Sequence, residues 1–275
     1  FRRVLFRSPI LLGDRKTIKD AAARLSLDLK GMRLIEPARS EELDAFTTRF
    51  AELRGAKSSG PSETREIVAS PNYFATMMLA TGQADALVGG ATVTASSALR
   101  PLFQIIPKLA HVRHASSLMI LDWDEKQVGS DGSLFLSDCG VIPDPTAEQL
   151  CDIALSTAMI ASHLTHEIPR VAMLSYATHS SSAHPMLAKV RTATELARTR
   201  ARESSLPMEI EGEIQVDAAL DGAVARMKSL DGKVAGHANV LIFPDLNSAN
   251  IGYKLVQVLA GANSFGQIVT GLERP

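Results

Sequence analysis

A hydroxyl-rich segment that follows an apolar run carries residue types that bind anions. The run Ala84–Gly89 leads into Thr92–Ser97, which opens a helix that contains Arg100. A helix N-terminus offers free N–H groups and the positive end of the helix dipole, and the hydroxyl of Thr94 can add a hydrogen bond. The segment therefore predicts an anion site, and a simple turn with a capping hydroxyl is the alternative.

A second group of basic residues lies at the end of an earlier helical stretch. Arg54 ends Ser40–Arg54, and Lys57 lies in the polar loop Gly55–Gly60 that follows. An arginine at a helix C-terminus is already favoured by the helix dipole. On these residues alone, an anion-binding role for Arg54 and Lys57 stays open.

Histidines occur in spaced pairs, which raises the question of a metal site or a catalytic nucleophile. The pairs are His111 and His114, His163 and His166, and His179 and His184, the last flanking Ser180–Ser182. Zinc sites usually take three or four ligands, and no pair has a further ligand close in sequence. No metal site is predicted. A Ser-His hydrolase stays a minor alternative, because the Gly-x-Ser-x-Gly motif is absent.

Composition excludes several classes of protein. The 275 residues are 45% hydrophobic, and 29 basic against 30 acidic side chains give a formal net charge of -1. This balance lacks the electrostatic attraction of a nucleic-acid binder, and no apolar run approaches the ~20 residues that span a bilayer. The cysteines, Cys139 and Cys151, are too few for a disulfide framework, which favours a reducing cytosol. Glycine-rich dinucleotide and P-loop motifs are absent, which disfavours Rossmann and P-loop chemistry.

Short apolar runs alternate with stretches of helical period. The predicted strands are Pro9–Asp14, Gly31–Pro37, Ala84–Gly89, Ser117–Trp123, Ser133–Ile142, Arg170–Tyr176, Ala238–Asp245 and Gln267–Leu272. The predicted helices are Lys16–Leu27, Ser40–Arg54, Pro71–Ala80, Pro145–Leu164, Pro185–Arg202 and Ser248–Ala260. Ser70–Pro71 and Asp144–Pro145 place a capping side chain before a proline, which marks a helix start.

This alternation predicts an α/β fold with mostly parallel sheets. Apolar residues on consecutive positions, as in Val171–Leu174, suit strands that helices cover on both faces. The segment Ser117–Ile142 differs, because two strand-like runs flank the polar stretch Asp124–Ser130. It predicts an antiparallel hairpin at the start of a second subdomain.

Several short blocks carry a more specific signal. In chain order they are Pro9–Gly13, Glu52–Arg54, Pro71–Ala75, Leu99–Pro101, Val171–Tyr176, Glu211–Ala219, Ile242–Asn247 and Asn250–Lys254. Together these blocks resemble the phosphate acetyltransferase and phosphate butyryltransferase family, and the Glu211 and Ile242 blocks are most similar to the acetyltransferase branch. The resemblance covers nearly everything from Pro9 to Pro275.

The resemblance implies a fold and a reaction. It implies two α/β subdomains with a cleft between them, as in isocitrate and isopropylmalate dehydrogenases, here residues 1–114 and 115–275 with the hairpin near 117–142. The implied reaction transfers an acetyl group between acetyl phosphate and coenzyme A. Coenzyme A is then a substrate and not a bound cofactor. A homodimer is also implied, and the composition described above predicts a cytoplasmic protein without nucleic-acid or membrane partners.

The resemblance assigns roles to individual residues. Its substrate-binding positions correspond to Arg54, Arg100, Thr94, Lys57, Thr178, Ser181, Asn247 and Lys254. Among them, Arg54 and Arg100 match two arginines that contact phosphates of coenzyme A or of the acyl phosphate. Thr94 matches a hydroxyl in the loop before the second arginine.

The chain departs from the family pattern in two places. The loop usually written Ser-Thr-Lys-Gly-Ser-Ala is Ala177–Ser182 here, so His179 and Ser180 replace lysine and glycine. The family's catalytic Ser-Arg pair and the aspartate base for the thiol are expected beyond Pro275. We therefore expect no catalytic residue within these residues, a few missing N-terminal residues and a nearly inactive chain.

Two other functions remain as alternatives. One is a noncatalytic acetyl-CoA-sensing domain, like the one fused to malic enzymes, and the other is a phosphate butyryltransferase. The block Asp245–Asn247 and the absence of malic-enzyme sequence upstream favour the acetyltransferase.

Overall fold

The computed structural model describes residues 8–57, 60–90, 92–109, 112–125, 128–180 and 182–274. The chain divides into two units, which are Phe1–Pro107 with Glu273–Pro275 and Lys108–Leu272. They are called unit 1 and unit 2 below.

Unit 1 begins with a strand, a helix and a second strand. β1 (Ile10–Leu12) pairs in parallel with β2 (Arg33–Ile35), and α1 (Arg15–Arg24) connects them. The carboxylate of Asp14 caps α1 by accepting a hydrogen bond from the Thr17 N–H at 2.7 Å. This order confirms the predicted strand and helix alternation in the first part of the chain.

Four further helices complete the described part of unit 1. They are α2 (Leu43–Arg54), α3 (Pro61–Val68), α4 (Pro71–Ala80) and α5 (Ala95–Ile105), and short 3-10 turns lie at Pro37–Arg39 and Gly55–Lys57. α4 has the predicted bounds. Apolar residues three or four apart on these helices form the core of unit 1. There the rings of Phe46 on α2 and Phe74 on α4 lie 5.0 Å apart. Ser70 lies at the predicted start of α4, but its hydroxyl donates back to Ile67 O at 2.8 Å and does not cap the helix.

The predicted strand Ala84–Gly89 is wrong. The structure gives these residues no strand, and Val88 is 88% exposed. An extended segment becomes a strand only when a neighbouring strand takes up its backbone hydrogen bonds. β1 and β2 pair with each other, and Ala84–Gly89 instead forms irregular chain that leads towards α5.

Unit 2 contains a six-stranded sheet in the order β6-β5-β7-β4-β3-β8. Its strands are β3 (Ser116–Asp122), β4 (Ser133–Ser137), β5 (Arg170–Leu174), β6 (Glu209–Ile214), β7 (Val240–Ile242) and β8 (Asn263–Thr270). The neighbours from β6 to β4 are parallel, and β3 is antiparallel to both β4 and β8. The predicted hairpin is confirmed, with Leu118 opposite Ser137 and Asp122 opposite Ser133.

Helices cover both faces of this sheet. They are α6 (Ala147–Thr165), α7 (Pro185–Glu203), α8 (Val216–Leu220), α9 (Gly222–Met227) and α10 (Leu246–Ala260). Val171 and Met173 pack in one apolar cluster with residues of α6 and α7, whereas Ala172 and Leu174 pack in the other with residues of α8 to α10. Because successive strand residues point to opposite faces, two covered faces require the consecutive apolar residues that the sequence has.

Two local predictions in unit 2 need correction. β6 is not among the predicted strands, because glutamates at alternate positions interrupt its apolar residues. α6 begins at Ala147 and not at Pro145, because Thr146 and Gln149 form a capping box. Asp144 does not cap this helix, and its carboxylate accepts from Lys189 Nζ at 2.7 Å.

Among the described residues, no helix is both long enough and apolar enough to cross a membrane.

Candidate functional site

A pocket in unit 1 gathers three of the predicted substrate-binding residues. Arg54 ends α2, Lys57 lies in the 3-10 turn that follows, and Arg100 lies in α5. They line a cavity of about 160 Å³. The other lining residues are Phe50, Thr64, Ile67, Tyr73 and Gln104. Helices α2 to α5 therefore all contribute to this pocket, which we call the cation pocket.

Local backbone structure explains how these side chains meet. Phe50 and Arg54 are four residues apart on α2, and Arg100 and Gln104 are four apart on α5, so each pair shares one helix face. Gly55 has a φ of +50°, a conformation that favours glycine, and α2 ends there. The chain then turns, so that Lys57, two residues after Gly55, lines the same cavity.

The charge of the cation pocket comes from Arg54, Lys57 and Arg100. In the residues that the structure describes, none of its three cations forms an ion pair. Two carboxylates on α2 are engaged by other arginines, because Glu52 contacts Arg49 at 3.0 Å and Asp44 contacts Arg65 at 3.0 Å. Cations gathered without counter-charge favour an anionic ligand.

Tyr73 and Gln104 provide a neutral polar wall of the same pocket. The Tyr73 hydroxyl donates to Gln104 Oε1 at 2.9 Å, and the Tyr73 ring meets the Phe50 ring edge-on at 5.4 Å. Burial raises the pKa of Tyr73, and the positive charges of Arg100 and Arg54 oppose that shift. The phenol therefore stays protonated at neutral pH and remains a hydrogen-bond donor.

Thr94 has a structural role that the sequence offered as the alternative. Its hydroxyl oxygen accepts from the Ser97 N–H at 3.3 Å and caps α5, and it also lies 3.1 Å from Ser96 Oγ. Thr94 is not among the residues that line the cation pocket. A direct role in substrate binding stays a prediction.

The predicted residues of unit 2 follow two neighbouring strands. β5 leads to β6 at one edge of the sheet, whereas β7 leads through α10 to β8 at the other edge. Ligands of open α/β sheets bind outside the carboxyl ends of strands where the connections diverge in this way. Thr178 lies in the loop after β5, and Asn247 lies exposed in the first turn of α10, after β7. Lys254 is exposed on the same helix, with its Nζ 5.8 Å from the centre of the Tyr253 ring.

A buried glutamate clamps the loop after β5. The Glu213 carboxylate pairs with Arg191 at 2.8 and 2.9 Å and accepts from the Ser180 N–H at 2.7 Å. Thr178 Oγ1 accepts from the Gln215 N–H at 3.0 Å. Ser181, the other predicted residue of this loop, lies outside the described residues. The end of β6 thus fixes the described part of the loop.

The pKa of Glu213 reflects this clamp. Burial is the largest influence and raises the pKa, but the hydrogen bonds from Arg191 and from the Ser180 N–H outweigh it. The pKa of Glu213 therefore lies below its ordinary value, and the carboxylate is ionised at neutral pH.

A larger cavity in unit 2, of about 470 Å³, has a different charge pattern. Its lining residues are His179, Arg198, Glu209, Ile210, Glu211, Ser229, Leu230, Asp231, Gly232, Lys233 and Val234. Lys233 Nζ lies 2.6 Å from Glu209, and Arg198 lies 2.7 Å from Glu195. The His179 Nε2 lies 3.7 Å from Glu211 Oε1. Each basic side chain of this cavity thus has a carboxylate close by.

Two further histidines have structural side-chain contacts. His114 Nδ1 lies 2.7 Å from Asp152 Oδ2, and His184 caps α7 by accepting from the Met186 N–H. His111 lies outside the described residues. Within the described ranges, no group of three or more His, Cys, Asp or Glu side chains is placed to hold a metal ion.

Both cysteines are free and buried. Burial raises the pKa of the Cys139 thiol to about 12 and that of Cys151 to about 11. Neither thiol is a nucleophile at neutral pH, because the reactive form is the thiolate.

Comparison with known proteins gives a consistent result. The family model described as phosphate acetyl/butaryl transferase matches residues 5–275. A phosphate acetyltransferase from Thermoanaerobacterium thermosaccharolyticum is 42% identical over 97% of this chain and 79% of its own length. One from Clostridium acetobutylicum is 39% identical over the same shares, 97% and 79%.

Solved structures agree with the sequence relatives. A phosphotransacetylase from Streptococcus pyogenes matches with a TM-score of 0.83 and 31% identity, over 98% of this chain and 78% of that chain. The EutD phosphotransacetylase from Staphylococcus aureus matches with a TM-score of 0.80 and 34% identity, over 98% and 79%.

Three polar residues that line the cation pocket are absent from the predicted site, namely Thr64, Tyr73 and Gln104. Gln104 lies one turn after Arg100, and this four-residue spacing was a usable signal. Tyr73 lies within a block that resembles the family, but nothing in its local sequence shows that α4 packs beside α5.

Proposed function

Because the chain belongs to the phosphate acetyl/butaryl transferase family, we propose that it acts as a phosphate acetyltransferase. The reaction converts acetyl-CoA and phosphate to coenzyme A and acetyl phosphate, and it is reversible. The observation that carries the proposal is the cation pocket, where Arg54, Lys57 and Arg100 meet without a carboxylate partner in the described residues.

The chemistry requires such a pocket. In the acetyl-CoA-forming direction, the thiolate sulfur of coenzyme A attacks the acetyl carbonyl carbon. The bond from that carbon to the bridging oxygen then breaks, and phosphate leaves with the electron pair. Negative charge stays on the phosphoryl oxygens throughout, and arginine guanidinium groups bind such oxygens with paired hydrogen bonds.

The cation pocket is suited to binding rather than proton transfer. None of the eight described residues that line it is a carboxylate or an imidazole, and arginine stays protonated in proteins. We therefore assign Arg54, Lys57 and Arg100 to binding a phosphoryl group of a substrate. The base for the thiol is assigned to the Ser-Arg-Asp machinery that the family resemblance implies and not to this pocket.

Residues in the segments that follow β5 and β7 complete the proposed substrate-binding set. Thr178, Asn247 and Lys254 take this role on the strength of the family resemblance and of the point where the strand connections diverge. Ser181 belongs to the same proposed set by sequence alone. Coenzyme A acts as a co-substrate that leaves after each turnover.

Turnover of the complete gene product tests the proposal. The protein is incubated with acetyl-CoA and arsenate in place of phosphate, and free thiol is measured. Acetyl arsenate hydrolyses, so an enzyme releases coenzyme A continuously, whereas an acetyl-CoA sensor binds without releasing thiol. Butyryl-CoA under the same conditions is expected to react more slowly. Preferred turnover of butyryl-CoA would make the protein a butyryltransferase, and no thiol release with either would overturn the proposal.

A homodimer is part of the proposal. Helix α10 exposes Ile251, Leu255, Val258 and Leu259, and the neighbouring edge strand β8 exposes Phe265. Val258 is 79% and Leu259 80% exposed, which is a large apolar surface for an isolated chain. A second copy that packs on this surface would bury it.

The molar mass of the protein in solution, measured by light scattering as it elutes from a size-exclusion column, tests the homodimer. Val258→Asp should convert a dimer to a monomer, whereas Met227→Asp, at an apolar residue that is 81% exposed on α9, should not. A monomeric unmodified protein would contradict the homodimer.

We also propose a cytoplasmic location, because acetyl-CoA is an intracellular metabolite and both cysteines are free.

A further inference from the structure

The wall of the cation pocket contains an amide whose orientation is fixed. Gln104 lines the pocket, and its Oε1 accepts the hydrogen bond from the Tyr73 hydroxyl at 2.9 Å. A glutamine amide has one acceptor end and one donor end. Since Tyr73 occupies the acceptor end, the Nε2 group is left as the donor. In the described part of the chain, Gln104 Nε2 donates no hydrogen bond, and the bond from Tyr73 is the one that the side chain makes.

One ring contact and one hydrogen bond of the neighbouring residue hold Tyr73 and its helix in place. Its ring meets Phe50 edge-on at 5.4 Å with an interplanar angle of 74°. The preceding residue, Asn72, donates from Nδ2 to Ser97 O at 3.4 Å, which ties α4 to α5. Tyr73 and Gln104 therefore come from two helices that are held against each other.

We propose that Gln104 is a further specificity-determining residue of the cation pocket, which donates from Nε2 to a phosphoryl oxygen, and that Tyr73 is the positioning residue that holds this amide. The inference rests on the proposed function, because it assigns another contact to the same ligand. The ligand chemistry is a phosphoryl group. It belongs either to acetyl phosphate and inorganic phosphate or to coenzyme A.

The geometry gives the amide a distinct task. Arg54, Lys57 and Arg100 attract any anion, including a planar carboxylate. A neutral N–H donor held in one place adds a directional contact that rewards a ligand with an oxygen at that position. Loss of the amide should therefore weaken binding of the phosphorylated substrate more than it changes the chemical step.

Steady-state kinetics of the complete gene product test the proposal. The variants are Gln104→Met, which keeps the shape and removes the donor, and Gln104→Asn, which keeps the amide and withdraws it by one methylene. Gln83→Met, at an exposed glutamine after α4, is the control. We expect Gln104→Met to raise KM for a phosphorylated substrate about ten-fold or more with a smaller change in kcat, since a hydrogen bond to a charged group has about that effect. Gln104→Asn should lie between Gln104→Met and the unmodified protein.

The choice of substrate identifies the phosphoryl group. If KM rises for acetyl phosphate and inorganic phosphate, the pocket holds the transferred phosphoryl group. If KM rises for coenzyme A but not for dephospho-coenzyme A, the pocket holds the 3′-phosphate of coenzyme A. Either result supports the proposal.

A double-mutant cycle tests the positioning role of Tyr73. Tyr73→Phe frees the amide to rotate, so KM should rise by less than in Gln104→Met. The double variant should be no worse than Gln104→Met alone, because Tyr73 acts through that amide. Additive losses would show that Tyr73 is merely structural and would overturn its role.

The inference and the proposed function fail in different ways. If Gln104→Met and Gln104→Asn both leave every KM unchanged while Arg100→Gln raises one, the inference is overturned and the proposed function survives. If the unmodified protein has no turnover, the proposed function itself fails. Melting temperatures of all variants, measured in parallel, show whether a loss reflects unfolding.

Discussion

The cation pocket of unit 1 and the cavity of unit 2 differ in charge as well as in size. The cation pocket of unit 1 measures about 160 Å³, and in the described residues its three cations have no carboxylate partner. The cavity of unit 2 measures about 470 Å³, and its basic side chains lie beside Glu195, Glu209 or Glu211. Each basic side chain of the larger cavity thus has a protein carboxylate beside it, whereas within the described ranges the cations of the smaller one have none.

This difference separates binding residues from scaffold residues. A cation that is already paired with a protein carboxylate must give up that partner before it can pair with an anionic ligand. Replacing one partner by the other gains little binding free energy. A group of cations without a partner gains the full charge-assisted hydrogen bonds when an anion enters. Charge pairing, rather than volume, is therefore the reason why we propose the cation pocket as the substrate-binding one.

Loss of both arginines should have the largest effect. In Arg54→Gln with Arg100→Gln, kcat/KM for the phosphorylated substrate should fall by about 10² to 10⁴, since each hydrogen bond to a charged group contributes about 1.5–3 kcal/mol. Initial rates of acetyl-CoA formation measure this. Lysine at either position should restore activity only in part, because an ammonium group lacks the planar fork of arginine.

The matched control is Arg24→Gln. Arg24, like Arg54, lies in the last turn of a helix, and it is exposed on α1. Its replacement should leave kcat/KM unchanged. A loss as large as that of the double variant would mean that general surface charge, and not the pocket, sets the rate.

Loss of the Glu213 carboxylate, which holds the loop after β5, should reduce the stability of the fold. Glu213→Gln removes the charged partner of Arg191 and should lower the free energy of unfolding by about 1–3 kcal/mol. Chemical denaturation measures this change. An unchanged unfolding free energy would show that the clamp does not support the fold.

The same clamp should produce part of the acid sensitivity. Because the pKa of Glu213 is lower in the folded chain than in the unfolded chain, its contribution to stability is fully present above the unfolded value, about 4.3. The contribution is lost as the pH falls through the lower folded value. The unmodified protein should therefore lose stability between pH 5 and 3 more steeply than Glu213→Gln. An equal loss of unfolding free energy in the two proteins across about this pH range would contradict the assignment.

Changes in the larger cavity should have the smallest effect. Lys233 pairs with Glu209 at 2.6 Å, but its side chain is 77% exposed. Lys233→Met should change the free energy of unfolding by less than about 1 kcal/mol and leave KM for every substrate unchanged. A raised KM for coenzyme A or acetyl phosphate would assign this cavity a substrate-binding role and would remove the distinction between the two cavities.

Much of the fold followed from local pattern. The helix Pro71–Ala80 and the hairpin after Ser116 could be predicted because periodicity and turn residues are local properties. The run Ala84–Gly89 failed because a strand depends on a partner that the run itself does not reveal. β6 could not be predicted because its glutamates interrupt the apolar pattern. Tertiary contacts that a single sequence does not reveal stabilise such a residue in a strand, as when Arg191 donates a hydrogen bond to Glu213.

The site could be predicted only in part for the same reason. Arg54 and Arg100 are visible as basic residues at helix positions, and the family resemblance singles them out. The link from Tyr73 to Gln104 spans 31 residues and exists only after α4 and α5 have packed. Residues that act through tertiary contacts carry little signal in a single sequence.

Binding of inorganic phosphate, followed by ³¹P nuclear magnetic resonance, tests the central claim most directly. The account predicts that the phosphate signal of the unmodified protein changes saturably on titration, that Arg24→Gln behaves alike, and that the change is lost when Arg54 and Arg100 are both replaced by glutamine. Saturable binding of the same strength in the double variant would contradict the assignment of the cation pocket.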